Sequence, residues 1–303
     1  MTSMVKANRI PTGSRSVVRR AGPGVWSKRA GRVMLYTLLV VFLAFFMLPM
    51  FWLVITAFKT PVEYGSWPIV ILPQRWQWKN FHDAVTRLRN PTYPNAALRS
   101  LGLAALNGIP DVLTSALVGF GFARHRAPGR NLLFTCMLAM IMVPGLIRTI
   151  PTFVIFARLG LINTYWPWLL WGLGSSPYFV FLFRQYFAGF PKELEDAAEI
   201  DGCNRWATFW RIFIPNAGPI LAVCSIFSFQ GNWGDFFTPV IFLKRRQATL
   251  AVAMADAYTD PMGNQMITLT LAGVVLFLIP AIIAFALGYR YIKEVAPTSG
   301  LKG

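Results

Sequence analysis

The sequence predicts an all-α, polytopic membrane protein with six transmembrane helices and both the N and C termini cytoplasmic. Three observations predict it. Of 303 residues, 55% are hydrophobic and only 14% charged, with a mean hydropathy of +0.49, whereas soluble domains run near 25% charged and 45–50% apolar. Long apolar runs recur, and a bilayer core of about 30 Å takes roughly 20 residues per helical crossing, so six crossings use about 120 residues. Charge is also placed asymmetrically. Lys6, Arg9, Arg15, Arg19, Arg20, Lys28, Arg29 and Arg32 precede the first run with no acid among them, the bias of a cytoplasmic flank. The net charge of +17, from 29 Lys and Arg against 12 Asp and Glu, is therefore read as topology, and no nucleic acid is expected as a partner.

Residues 1–32 are rich in Arg, Gly, Ser and Pro and predict a basic cytoplasmic arm held near anionic lipid. The twin arginine Arg19-Arg20 precedes a run, Val33 to Phe58, far longer than a signal peptide's apolar region, so an uncleaved anchor is expected. A long outside segment follows, with Tyr64, Trp67, Trp76, Trp78 and Tyr93 as interface anchors. The second crossing is read over Leu101 to Ala123, where Ser115, Gly119 and Ala123 share one face that permits close helix approach. The short basic loop Arg124 to Arg130 belongs inside. A third crossing, Leu132 to Ile150, meets Pro144 and Gly145 near its outer end. The fourth, Trp166 to Phe183, is interrupted by Gly172, Gly174, Ser175, Ser176 and Pro177, either as a packing kink or as a broken helix lining a cavity. Pro219 to Phe236 and Ile267 to Tyr289 complete the set, leaving residues 33–291 as the transmembrane domain and 292–303 as a cytoplasmic tail. Cys136, Cys203 and Cys224 are widely spaced and the histidines are His82 and His125, so no disulfide framework, metal site or thiol catalysis is indicated.

The most patterned polar stretch is the loop 187–215. Pro191 suits a first helical position, Glu193, Glu195 and Asp196 suit the positive end of a helix dipole, and Gly202 suits a left-handed stop. Asn204 can cap a second helix whose Trp206, Phe209, Trp210 and Phe213 form an apolar stripe ending at Pro215. Ala197 and Ala198 leave a thin patch suited to docking in another protein's groove. An amphipathic helix at the membrane interface is the alternative.

These residues resemble the membrane permeases of binding-protein-dependent ABC importers. Their signature, Glu-Ala-Ala, three residues, Gly, nine residues, Ile, any residue, Leu, Pro, is matched in spacing by Asp196-Ala197-Ala198, Gly202 and Ile212-Phe213-Ile214-Pro215, with Asp for Glu and Ile for Leu. Phe58-Lys59, the stretch Leu159 to Trp166 and the ending Leu301-Lys302-Gly303 resemble the carbohydrate, maltose-type branch. The resemblance implies the type I importer fold and a prokaryotic plasma-membrane location. It implies a second homologous permease, ATPase subunits, expected to number two, and an extracytoplasmic solute-binding protein as partners. It further implies a coupling helix through which Glu195, Asp196, Ala197, Ala198, Asp201, Gly202, Ile212 and Pro215 contact the ATPase. No GxxxxGK[ST] phosphate loop is present, so the chain is expected to be no enzyme and to hold no cofactor, ATP and Mg being used by the partner.

Candidate substrate-path residues are polar or aromatic groups within the crossings: Asn107, Asp111, Trp171, Phe229, Gln230 and Asn232. Sugar hydroxyls take such donors and acceptors and sugar ring carbons take aromatic faces; bonds between helices are the competing use. Asp111 suits a sugar contact, a structural bond or proton coupling. The rival function is an ion- or proton-coupled secondary transporter, which leaves the loop signature unexplained. A membrane enzyme would need a constellation of catalytic groups not seen at membrane depth.

Overall fold

The computed structural model describes residues 25–88, 90–255, 258–259 and 262–295. Most of the N-terminal arm (1–24), the tail from residue 296 and the loop residue Arg89 lie outside the described residues. Among the described residues the regular structure is all helical, apart from one isolated bridge between Thr259 and Gln265. The chain divides into a first unit ending at Trp52 and a second running from Leu53.

Helix α1 spans Val25–Ala57 and starts eight residues before the expected Val33, because basic residues near its start are good helix formers. Within the first unit, its side chains from Val33 to Met47 are exposed and, Thr37 apart, hydrophobic, as a lipid-facing helix requires. The second unit opens with two short helices, α2 (Pro61–Gly65) and α3 (Lys79–Arg87). Thr60 caps α2 by a reciprocal box: its Oγ1 accepts from the Glu63 amide at 3.1 Å and its amide donates to Glu63 Oε2 at 2.8 Å. The Thr60 amide, with a further amide bond from Gln74, holds the Glu63 carboxyl below its ordinary value. Trp67, Trp76 and Trp78 are exposed, the last two edge-on to Phe58.

Helix α4 (Tyr93–Arg124) is longer than the expected second crossing, with Pro94 in its first turn. The third crossing is corrected. It forms α5 (Arg130–Ala139), a 3-10 turn over Met140–Met142, and α6 (Gly145–Arg158), and the two limbs meet at 100°. Val143 is extended, as the residue before a proline tends to be, so Pro144 ends one helix and starts another. The fourth is broken as expected, into α7 (Trp166–Leu173) and α8 (Pro177–Ala188), with Ser175 at φ 55 between them. Short helices α9 (Glu193–Ile200), α10 (Arg205–Thr208) and α11 (Ile214–Asn216) lead into α12 (Gly218–Trp233), the last two limbs bent by 80°. Helices α13 (Phe237–Phe242) and α14 (Leu250–Ala255) precede α15 (Ile267–Val295). By length and composition α1, α4 and α15 can cross a bilayer singly, and the two bent pairs raise the number to five.

Small residues set the tightest packing. A Cβ built on Gly119 of α4 would lie 2.6 Å from Phe183 Cβ and 3.0 Å from the Arg184 amide of α8, and one on Gly172 of α7 would collide with the Asn107 carbonyl. Helix α4 therefore packs against both halves of the broken fourth segment at near backbone contact. Three apolar clusters surround it. Phe120, Phe183, Phe187, Phe209 and Phe213 fill one end. Trp233, Leu250 and Leu269 join α12, α14 and α15 at the other, with Tyr258 beyond α14, its hydroxyl donating to the Ala84 carbonyl at 2.8 Å and its phenol raised by burial. Leu103, Phe156, Trp168 and Phe242 form the third.

Candidate functional site

Helix α9 follows from its sequence almost step by step. Lys192 rather than Pro191 stands before its first turn, the acids Glu193, Glu195 and Asp196 occupy that turn, and Gly202 stops it at φ 75, as the spacing predicts. Asn204 then caps α10, its Oδ1 accepting from the Ala207 amide at 2.8 Å. The expected stripe of four aromatics splits in two. Phe209–Phe213 wind as one π turn, wider than an α turn, so Phe209 and Phe213 enter the aromatic cluster while Trp206 and Trp210 stay exposed.

The predicted docking residues divide by face. Asp196, Ala197, Asp201, Gly202 and Pro215 are exposed, beside Ile200, which is 87% exposed. Ala198 is buried, Ile212 packs against the aromatic cluster, and Glu195 turns inward to Arg124 at the end of α4, Nη1 to Oε1 2.9 Å. Glu195 and Ala198 are three apart and so share a face. Arg124 was missed as a functional candidate; a cation on the last turn of a helix beside an acidic loop was its signal. His125 lies next to this pair. Burial chiefly lowers its basicity, Arg205 adds to the effect and Glu195 opposes it.

A second feature is an open polar cleft of about 630 Å³. Asn107, Asp111 and Trp171, three of the six candidate path residues, line it together. Asn107 also donates Nδ2 to the Trp168 carbonyl at 2.9 Å, and Asp111 accepts from Ser115 Oγ at 3.2 Å, while Ser115 Oγ in turn accepts from the Ser176 amide at 3.0 Å. The Asn107 bond fastens α4 to α7, and the Ser115 bond fastens it to the break, satisfying the Ser176 amide freed there. Phe229, Gln230 and Asn232 do not line this cleft. Phe229 stacks on Trp233 at 5.8 Å, Gln230 is exposed elsewhere on α12, and Asn232 donates back to the Ser228 carbonyl at 2.8 Å. The cleft adds Arg148, Thr149, Thr152 and Thr238, which were not foreseen, and Ser175 from the break in the fourth segment. Arg148 carried a signal, a full charge inside a segment read as a crossing.

Residues 114–295, which include α9 and the greater part of the cleft, match the family described as binding-protein-dependent transport system inner membrane component. The chain belongs to this family. It is a permease subunit of the ABC importer type, and its work is passage rather than catalysis. Among its relatives, the arabinooligosaccharides transport system permease protein AraQ of Halalkalibacterium halodurans is 37% identical over 64% of this chain and 68% of the relative. The diacetylchitobiose uptake system permease protein NgcG of Streptomyces coelicolor is 27% identical over 85% and 84%. Among solved structures, a bacterial ABC transporter involved in the import of the acidic polysaccharide alginate has a chain of the same fold. It superposes with a TM-score of 0.76 at 18% identity, covering 90% of this chain and all of the other.

Proposed function

We propose that this permease forms half of the membrane channel of an ATP-driven importer that moves a sugar or oligosaccharide across a prokaryotic plasma membrane. Its partner in the bilayer is a second, homologous permease. Two ATPase subunits bind on the cytoplasmic side, and an extracytoplasmic solute-binding protein delivers the sugar. The chain holds no cofactor of its own; ATP and Mg serve the partner ATPase. In this reading the chain makes six crossings, with α7 and α8 sharing one, and the basic residues before α1 and around Arg126 and Arg130 favour cytoplasmic termini.

The observation that carries this proposal is α9: an acidic helix ending in a left-handed glycine, seated on the body through Ala198 and Glu195 and exposed along its other face. A free helix of eight residues is marginal in water, so one so exposed is expected to be covered by a partner. Relatives named for arabinooligosaccharide and diacetylchitobiose transport favour a saccharide substrate, and the cleft supplies the uncharged donors and acceptors that sugar hydroxyls use. The path then runs past Asn107, Asp111 and Trp171.

Mild-detergent purification of the chain from its native membranes, beside a Gly202→Trp variant, tests the assembly. Recovery of an ATP-binding-cassette ATPase and a second permease with the wild type, and loss of the ATPase alone with the variant, is expected. Recovery of the chain alone, in detergent that preserves other importers of this type, would overturn it.

A further inference from the structure

Arg124 is the last residue of α4, and its guanidinium meets three further elements at once. Its Nη2 donates to the carbonyls of Phe187 at 2.7 Å and Phe190 at 2.6 Å, at and just beyond the end of α8, where a helix leaves its last carbonyls without internal partners and a cation is favoured. Its Nη1 pairs with Glu195 of α9, and the planar group stands 5.3 Å from the centroid of the Phe213 ring in the π turn. The two side chains of the ion pair are 13% and 26% exposed, so water screens them less than a surface pair. Only arginine offers this: a rigid fork with enough donors to serve three acceptors in different directions.

The helices fastened there are also the walls of the polar cleft. Helix α4 carries Asn107 and Asp111, and α8 begins at the break that carries Ser175 and Ser176. From Asp111 to Arg124 is about 20 Å of continuous helix. Gly119 locks the two helices together between those points, and close-packed helices shift as units rather than deform.

We propose that Arg124 is the transmission residue of this permease: through Glu195 it ties α9 to the ends of α4 and α8, so that the docked helix carries both cleft walls with it when the ATPase closes. The proposal rests on the docking role of α9 given above and deepens it. Arg124 is a positioning residue, in contact with neither sugar nor ATPase.

The test uses the full complex in proteoliposomes and reads sugar moved per ATP hydrolysed, normalised to assembled complex. Glu195→Gln removes the ion pair and spares the carbonyl bonds, whereas Arg124→Gln removes both. Each is expected to lower the ratio about fivefold or more, the size of an ordinary coupling term, and the double variant is expected to be no worse than Arg124→Gln, because the two residues act as one unit. Glu195→Asp, with its charge kept at shorter reach, gives the same direction more mildly and serves if a glutamine variant does not assemble. A ratio equal to wild type in assembled variants, with losses confined to yield or thermal midpoint, would overturn the transmission role alone. Absence of ATP-driven uptake by the wild type would overturn both it and the importer reading.

Discussion

Two glycines on one helix, two residues apart, should respond to the same substitution with opposite signs. Gly119 faces α8, and an added methyl there would lie 2.6 Å from Phe183 Cβ, 3.0 Å from the Arg184 amide nitrogen and 3.1 Å from the Val180 carbonyl. The first of these is about 1 Å short of an ordinary carbon–carbon contact. The other two are backbone atoms, so no side-chain rotation relieves them, and α4 and α8 must separate. Overpacking of this kind costs about 1–3 kcal/mol, and the upper half of that range is expected for Gly119→Ala. Gly121 has nothing within 4 Å of its added Cβ. Gly121→Ala should therefore gain helix stability of about 0.5–1 kcal/mol. Denaturant unfolding of the detergent-solubilised protein compares the two, with the midpoint falling for Gly119→Ala and rising or holding for Gly121→Ala. Equal shifts, or a loss at Gly121 alone, would refute the close packing of α4 on α8.

The docking loop gives further expectations. Gly202→Ala should cost about 1–2 kcal/mol of local stability from left-handed backbone alone, since its Cβ meets nothing. Asn, which tolerates that conformation, should cost less, and hydrogen exchange of the amides around residue 202 ranks the two. Asn204→Ala should lose about 1 kcal/mol by uncapping α10, seen as faster exchange of the Ala207 amide, while Asn204→Asp retains it. Phe213→Ala removes a ring that is fully buried among Phe120, Phe187 and Phe190; a loss of about 3–5 kcal/mol is expected in the same unfolding measurement. The imidazole of His125 is held below its ordinary 6.5, so the unfolded chain takes up the proton first. Its contribution to stability is complete above about pH 6.5 and is lost as pH falls through that value. Wild type should thus lose more stability than His125→Gln between about pH 7.5 and about pH 5.5, and NMR should find that Arg205→Ala moves the His125 titration upward.

The loop was the most legible part of the chain because its signals are local. A left-handed residue, a capping side chain and acids in a first turn each act within a few positions, and Gly202, Asn204 and Glu193 to Asp196 all appear where the spacing places them. The face that α9 turns inward was less evident: Glu195 and Ala198 were both assigned to the docking face, whereas Ala198 is buried and Glu195 pairs with Arg124, a neighbour far away in sequence. In the membrane segments, hydropathy located the apolar runs but carried no information on their direction. Pro144 marked an interruption, yet a 100° bend between α5 and α6 depends on what each limb packs against. The cleft shows the same limit. Polarity at membrane depth singled out Asn107 and Asp111, which line the cleft, but equally Gln230 and Asn232, whose helix presents them elsewhere. Which face of an apolar helix meets a cavity is decided by neighbours distant in sequence, and here the small residues Gly119 and Gly172 set those neighbours.

The central claim is that ATP bound by a partner drives a saccharide through this chain and its homologous permease. Its most direct measurement is uptake of radiolabelled oligosaccharide into proteoliposomes holding the complete complex, with ATP supplied on the ATPase side, the solute-binding protein on the other, and ionophores collapsing every ion gradient. Uptake that persists with the gradients collapsed and stops without ATP is the predicted result. Uptake that follows an imposed proton or sodium gradient and ignores ATP would contradict it and make Asp111 the centre of an ion-coupled transporter.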